Sequence, residues 1–234
     1  MVSLGRAAAA EAVGTGLLVA VVVGSGIFAE RLSPGDSGLQ LLENSTATAL
    51  GLVALILAFG PVSGAHFNPV VTLADRLLGG MATGRAAVYA AAQVAGGCTG
   101  AVVANLMFDL PALDWSATAR NGSQLWLGEV VATFGLVTVI LGVVRTGRPE
   151  AAPFAVGAYI GAAYWFTSST SFANPAVTLA RTLTDTFSGI RAASVPPFVI
   201  AQLAGALLAV GLARFLHAPL SHAAEDVVLP HGRD

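Results

Sequence analysis

Apolar residues run along this chain in blocks too long for the core of a soluble domain. Six blocks stand out, at about 7–29, 45–62, 85–107, 125–144, 152–168 and 196–216. A helix of about 20 mainly apolar residues crosses the ~30 Å hydrocarbon layer of a bilayer. Each block therefore predicts a membrane-spanning helix, which satisfies its own N–H and C=O groups where lipid offers no partner. The fifth block is short and interrupted by glycines. The first contains Glu11 and is too long for the apolar stretch of a secretion signal, so it reads as a retained span.

Two shorter apolar segments lie between blocks. Gly64-Ala65-His66-Phe67-Asn68-Pro69-Val70-Val71-Thr72-Leu73-Ala74 separates the second from the third, and Ser171-Phe172-Ala173-Asn174-Pro175-Ala176-Val177-Thr178-Leu179-Ala180 separates the fifth from the sixth. Each is an Asn-Pro followed by about ten helix-compatible residues, enough to reach about halfway through the bilayer. Asn caps a helix by accepting an orphan N–H of the first turn, and Pro fits the next position, where no N–H bond is needed. Asn68-Pro69 and Asn174-Pro175 are thus predicted to start two re-entrant half-helices, with each Asn NH2 left free to donate to a passing oxygen.

The halves of the chain echo each other. Glu11-Ala-Val-Gly-Thr-Gly-Leu-Leu-Val is similar to Glu129-Val-Val-Ala-Thr-Phe-Gly-Leu-Val, and Ala92-Gln93-Val94-Ala95-Gly96 to Ala201-Gln202-Leu203-Ala204-Gly205. With Asn68 and Asn174 these landmarks fall in the same order. Each half holds three spans, an odd number, so the second repeat is inverted in the membrane. The half-helices then meet near the midplane, both positive ends inward, a barrier to cations and protons and a pair of donors for a neutral oxygenated molecule. The expected architecture is all-α: six transmembrane helices plus two re-entrant half-helices in one channel domain over 1–216, with repeats at about 5–110 and 123–216. Residues 217–234 read as a flexible cytoplasmic tail. With both termini inside, seven arginines face the cytoplasm and four the exterior, the bias expected of a plasma (inner) membrane protein.

Composition narrows the functions. Charged residues make up 10% and mean hydropathy is +0.76, against about 25% charged in soluble domains. The net charge of -2 leaves no basic face for nucleic acid. Cys98 stands alone and the four histidines are scattered, so neither a disulfide nor a metal site is predicted, and no cofactor is implied. No nucleophile, base and orienter constellation suggests an enzyme.

The two Asn-Pro motifs, each followed by Val-Thr-Leu-Ala once its third residue is passed, resemble those of the major intrinsic proteins, the aquaporins and glycerol facilitators. The resemblance covers about residues 5–216. It implies an aquaporin-like bundle around a pore, a homotetramer with one pore per subunit, small neutral solutes as cargo and the lipid bilayer as surroundings. It also implies that Glu11 and Glu129 support the re-entrant loops. The family motif is Asn-Pro-Ala twice, and Val70 departs from it, whereas Ala176 keeps it. By family offsets the outer constriction falls on Thr48, Ala162, Ser171 and Val177, all small, with valine where the family ordinarily has arginine. A widened ring without its fixed charge predicts passage of glycerol, urea and neutral metalloid hydroxides such as arsenous or boric acid.

Arg181 lies one turn beyond Val177 on the same face. It either supplies a substitute charge in the outer vestibule or snorkels to the headgroups; Asp75 is its counterpart in the first repeat. His66 is expected near the inner pore mouth. The competing function is an ion-coupled secondary transporter, for which Glu11 and Glu129 are the available intramembrane carboxylates.

Overall fold

A computed structural model describes residues 2–216; the tail assigned above to 217–234 lies outside the described residues. Among the described residues there are eight α-helices: α1 Leu4–Leu32, α2 Ser37–Ser63, α3 Pro69–Leu78, α4 Thr83–Met107, α5 Ser123–Arg145, α6 Ala152–Phe166, α7 Pro175–Ala180 and α8 Val195–Leu216. Among the described residues five helices are long and apolar enough to cross a membrane: α1, α2, α4, α5 and α8 with the short turn before it. The sixth span is α6, 15 residues preceded by a single 3-10 turn at Pro149–Ala151. It packs against α2 and α5. Span, span, half-helix, span is the order in each half.

Helix α2 begins eight residues before its apolar block. Asp36 caps it, its Oδ1 accepting from Leu39 N at 2.9 Å. The polar residues of its first turns then find partners on the chain before it. Gln40 Nε2 donates to Ser33 O at 2.8 Å and Asn44 Nδ2 to Val22 O at 2.9 Å. Such internal partners let polar residues enter the span.

The long helices meet at glycines. A Cβ on Gly96 would stand 1.9 Å from Ala12 O, and one on Gly100 2.0 Å from Gly16 O. So α1 and α4 touch backbone to backbone, as small residues allow. In the second repeat Gly205 does the same for α8 against α5, 2.5 Å from Val130 O.

The half-helices differ in length. Ten residues form α3, whereas α7 has six and runs into a 3-10 turn at Arg181–Leu183. The cause is a clasp with the α4–α5 loop. Ser116 N donates to Thr182 O and Asp114 N to Leu183 O, at 3.0 and 3.1 Å, and Ile190 N, from the segment leading into α8, donates to Arg181 O at 3.2 Å. Those carbonyls are no longer available to a longer helix.

Candidate functional site: a pore through the bundle

The half-helices define the centre. Asn68 Oδ1 accepts from Val70 N at 3.0 Å, and Asn174 Oδ1 accepts from Ala176 N and Val177 N at 3.0 and 3.3 Å. Pro69 and Pro175 hold the first helical positions. Here the expectation of a free NH2 needs correcting. Asn68 Nδ2 donates to Ala173 O and Asn174 Nδ2 to Phe67 O, each at 2.8 Å. Each repeat thus takes one of the other's two amide hydrogens, which leaves one per Asn for the lumen. Both asparagines line the cavity, and the two helix N-termini confront each other across it.

The loops leading into the motifs are bent by left-handed residues. Ala65, Phe67, Thr170, Ser171 and Ala173 have φ between +47° and +61°, a conformation costing non-glycine residues about 1–3 kcal/mol each. Two buried carboxylates hold these loops. Glu11 accepts from Ser63 Oγ, His66 N, Phe67 N and Gln93 Nε2, at 2.6 to 3.0 Å. Glu129 accepts from Phe172 N, Ala173 N and Gln202 Nε2, at 2.6 to 2.9 Å. Gln93 and Gln202 also donate to Thr72 and Thr178 of the half-helices. Both carboxylates are fully buried.

The cavity is narrow, about 60 Å³, room for only a few water-sized molecules. Apolar residues of α1, α2, α5 and α6 line its sides, and the two motif loops with their half-helices supply much of the rest. His66 lines it at one end, with Nδ1 3.1 Å from Thr72 Oγ1 and Nε2 3.9 Å from Asp75 Oδ2. Asp75 is not a vestibule residue. It is 3% exposed, stands behind His66 and does not reach the lumen. Val70 is fully buried against Val137, Leu141 and Ala206, so its extra bulk faces α5 and α8 rather than the pore.

At the other end Thr48, Ser171 and Val177 line the cavity. Ala162 does not: it is exposed on the outer face of α6. The α6 residues that face the lumen are Val156, Ile160 and Tyr164, four apart and hence on one face. Ala162 lies two residues from Ile160, about 200° round the helix. The twelve-residue offset therefore lands off the lumen-facing stripe of α6, and Tyr164, ten before Asn174, takes the place. Its hydroxyl lies 3.2 Å from Thr48 Oγ1. The ring is therefore not uniformly small. Tyr164 was legible in its phase with Val156 and Ile160; Phe172, also in the wall, had no comparable signal.

Arg181 is 3% exposed and lines the same end of the cavity. Helical side chains lean toward the N-terminus and cover the turn before their own. An arginine one turn beyond Val177 therefore reaches back over the position Val177 leaves uncharged. Its Nε donates to Ser188 O, and its Cζ stands 3.5 Å from the centroid of the Phe172 ring. Arg120, in the α4–α5 loop, donates to Gly189 O and Phe187 O at 2.8 and 3.0 Å. Burial pushes the Arg120 guanidinium below its ordinary range.

Comparison with known proteins bears on this arrangement. The sequence matches the family described as Major intrinsic protein over residues 1–171 and 151–232. It is 56% identical over 216 residues to Aquaglyceroporin AqpS of Rhizobium meliloti (strain 1021), covering 92% of each chain. It is 35% identical to Aquaporin NIP1-3 of Oryza sativa subsp. japonica over 73% of this chain and 62% of that one. The fold is similar to that of the aquaglyceroporin from Plasmodium falciparum, with a TM-score of 0.71, 22% identity and coverage of 92% of this chain and 97% of that chain.

Proposed function

The chain belongs to the major intrinsic protein family, and from that premise we propose that its pore selects neutral, polyhydroxylated solutes at a constriction whose cation is Arg181. It is an integral membrane protein and a passive channel for small neutral solutes, in a family of channels rather than enzymes. The solutes we assign are glycerol, urea and metalloid hydroxides such as arsenous and boric acid.

One observation carries this reading: Arg181 lines the cavity beside Thr48, Tyr164, Ser171 and Val177. The ring is amphipathic, with an aromatic and a valine on its apolar side and two hydroxyls and a guanidinium on its polar side. A solute whose hydroxyls replace lost water contacts, and whose carbon or metalloid centre tolerates an apolar wall, passes most easily. The Ser171 hydroxyl is buried without a hydrogen-bond partner among the described residues, so it is open to such a solute. With valine after the second motif, the pore lacks the more confining charge that makes a strict water filter.

The ion-coupled alternative loses its support at Glu11 and Glu129. Both carboxylates are occupied by donors from the loops and from Gln93 and Gln202, which leaves neither for a coupling ion. We place both termini in the cytoplasm and the protein in the inner membrane, on the strength of seven arginines against four. Asn68, Asn174 and the half-helix dipoles form the central cation barrier, and His66 forms the inner mouth. Residues 1–216 act as one channel domain. A homotetramer is the assembly we expect, with the exposed Leu and Phe side chains of the helices facing lipid or neighbouring subunits.

Stopped-flow light scattering on reconstituted vesicles tests the function. Wild type is expected to pass glycerol, urea and arsenous acid down their gradients, and Arg181→Ala to pass methylammonium as well. Passage of water alone, or uptake only with an ion gradient, refutes the proposal.

A further inference from the structure

We propose that Phe172 is the positioning residue that holds the Arg181 guanidinium in the constriction; this rests on the reading of Arg181 as the pore's selective cation. Arginine is a long side chain with many rotamers. Placed one turn late, it would sample the vestibule freely unless something fixed it. Among the described residues no carboxylate pairs with Arg181, and its one hydrogen bond is from Nε to Ser188 O. What meets the flat face is the Phe172 ring, 3.5 Å from Cζ.

That ring is itself immobile. It is 4% exposed and stacks edge-on against Phe198, centroids 5.2 Å apart at 75°. Ile190 and Phe198, both fully buried, close the pocket around it. The Phe172 N–H is anchored to Glu129 at 2.9 Å. A second guanidinium, that of Arg120, stands 5.2 Å from the same ring and is pinned by two carbonyls. Its like charge opposes any retreat of Arg181 from the lumen toward the loop. A desolvated cation over an aromatic face is among the stronger contacts of this type. Leucine would keep most of the bulk and lose the attraction.

The experiment is a double-mutant cycle in vesicles, reading methylammonium entry relative to glycerol entry. Phe172→Leu is expected to raise that ratio about tenfold and Phe172→Tyr to leave it near wild type. In an Arg181→Ala background, Phe172→Leu should add less than about twofold, since its effect runs through the arginine. If Arg181→Ala raises the ratio and Phe172→Leu does not, Phe172 has no positioning role and the assignment of Arg181 stands. An equal rise in both backgrounds makes Phe172 a structural residue only and overturns the proposal. No change in either variant refutes Arg181 as the selective cation, and the positioning role with it. Where Phe172→Leu fails to fold, Arg181→Lys asks the same question: it keeps the charge, loses the planar stack and should raise the ratio, and an unchanged ratio overturns the proposal.

Discussion

Replacing Glu129 by glutamine changes one oxygen to a nitrogen and removes a charge, at a site where two backbone N–H groups, the Gln202 amide and the Ser169 hydroxyl converge. Phe172 N meets Oε1, while Ala173 N and Gln202 Nε2 meet Oε2. A glutamine offers one acceptor oxygen and one NH2. Set in the better orientation, its oxygen serves Ala173 and Gln202, and its NH2 faces the Phe172 N–H, donor against donor. One buried N–H is then orphaned, at about 1–3 kcal/mol. The two surviving bonds lose their charge assistance, roughly half their strength, which adds about 1 kcal/mol each. The loop they hold contains Thr170, Ser171 and Ala173 with positive φ, so released strain favours the opened loop. A total of about 3–5 kcal/mol corresponds to a fall in Tm of about 10 °C for a chain this size. Thermal unfolding of the purified channel in detergent measures the fall, and glycerol flux in vesicles should drop in parallel. A Tm within about 2 °C of wild type with unchanged flux would show that the loop is held by other contacts and refute the reasoning.

Two further outcomes follow from particular positions. Tyr164→Ala should raise the flux of three- and four-carbon polyols several-fold relative to water, while Ala162→Val should leave every ratio unchanged; the reverse pattern in the same vesicle assay restores the twelve-residue offset. Gly100→Val should prevent α1 and α4 from closing, because its Cβ would fall 2.0 Å from Gly16 O and backbone cannot yield as a side chain can. Size-exclusion chromatography should then show aggregate in place of a monodisperse species.

What the sequence made legible was what depends on near neighbours. Apolar block length gave the spans, and Asn-Pro gave both half-helix starts, since a cap and its helix lie within three residues of each other. The first turns of α2 escaped because Gln40 and Asn44 look polar along the chain and are satisfied by residues packed beside them. Ala162 went wrong for a different reason. A fixed offset assumes a fixed loop length, whereas the phase of Val156, Ile160 and Tyr164 depends on the helix alone. The cross-bonds of Asn68 and Asn174 join residues more than a hundred apart, so no local pattern announced them. Asp75 was assigned by symmetry with Arg181, but the repeats diverge there, and the carboxylate found His66 instead of the lumen.

Those cross-bonds also set a clock on synthesis. Asn68 donates to a residue 105 positions further along, and Phe67 accepts from one 107 positions further. Translation at about 5–20 residues per second leaves the first motif waiting on the order of 5–20 s for its counterpart. During that interval the Asn68 amide and the Phe67 carbonyl lack the partners they have in the finished fold. The centre of the pore therefore cannot close from the first repeat alone; it is completed only by residues made a hundred positions later.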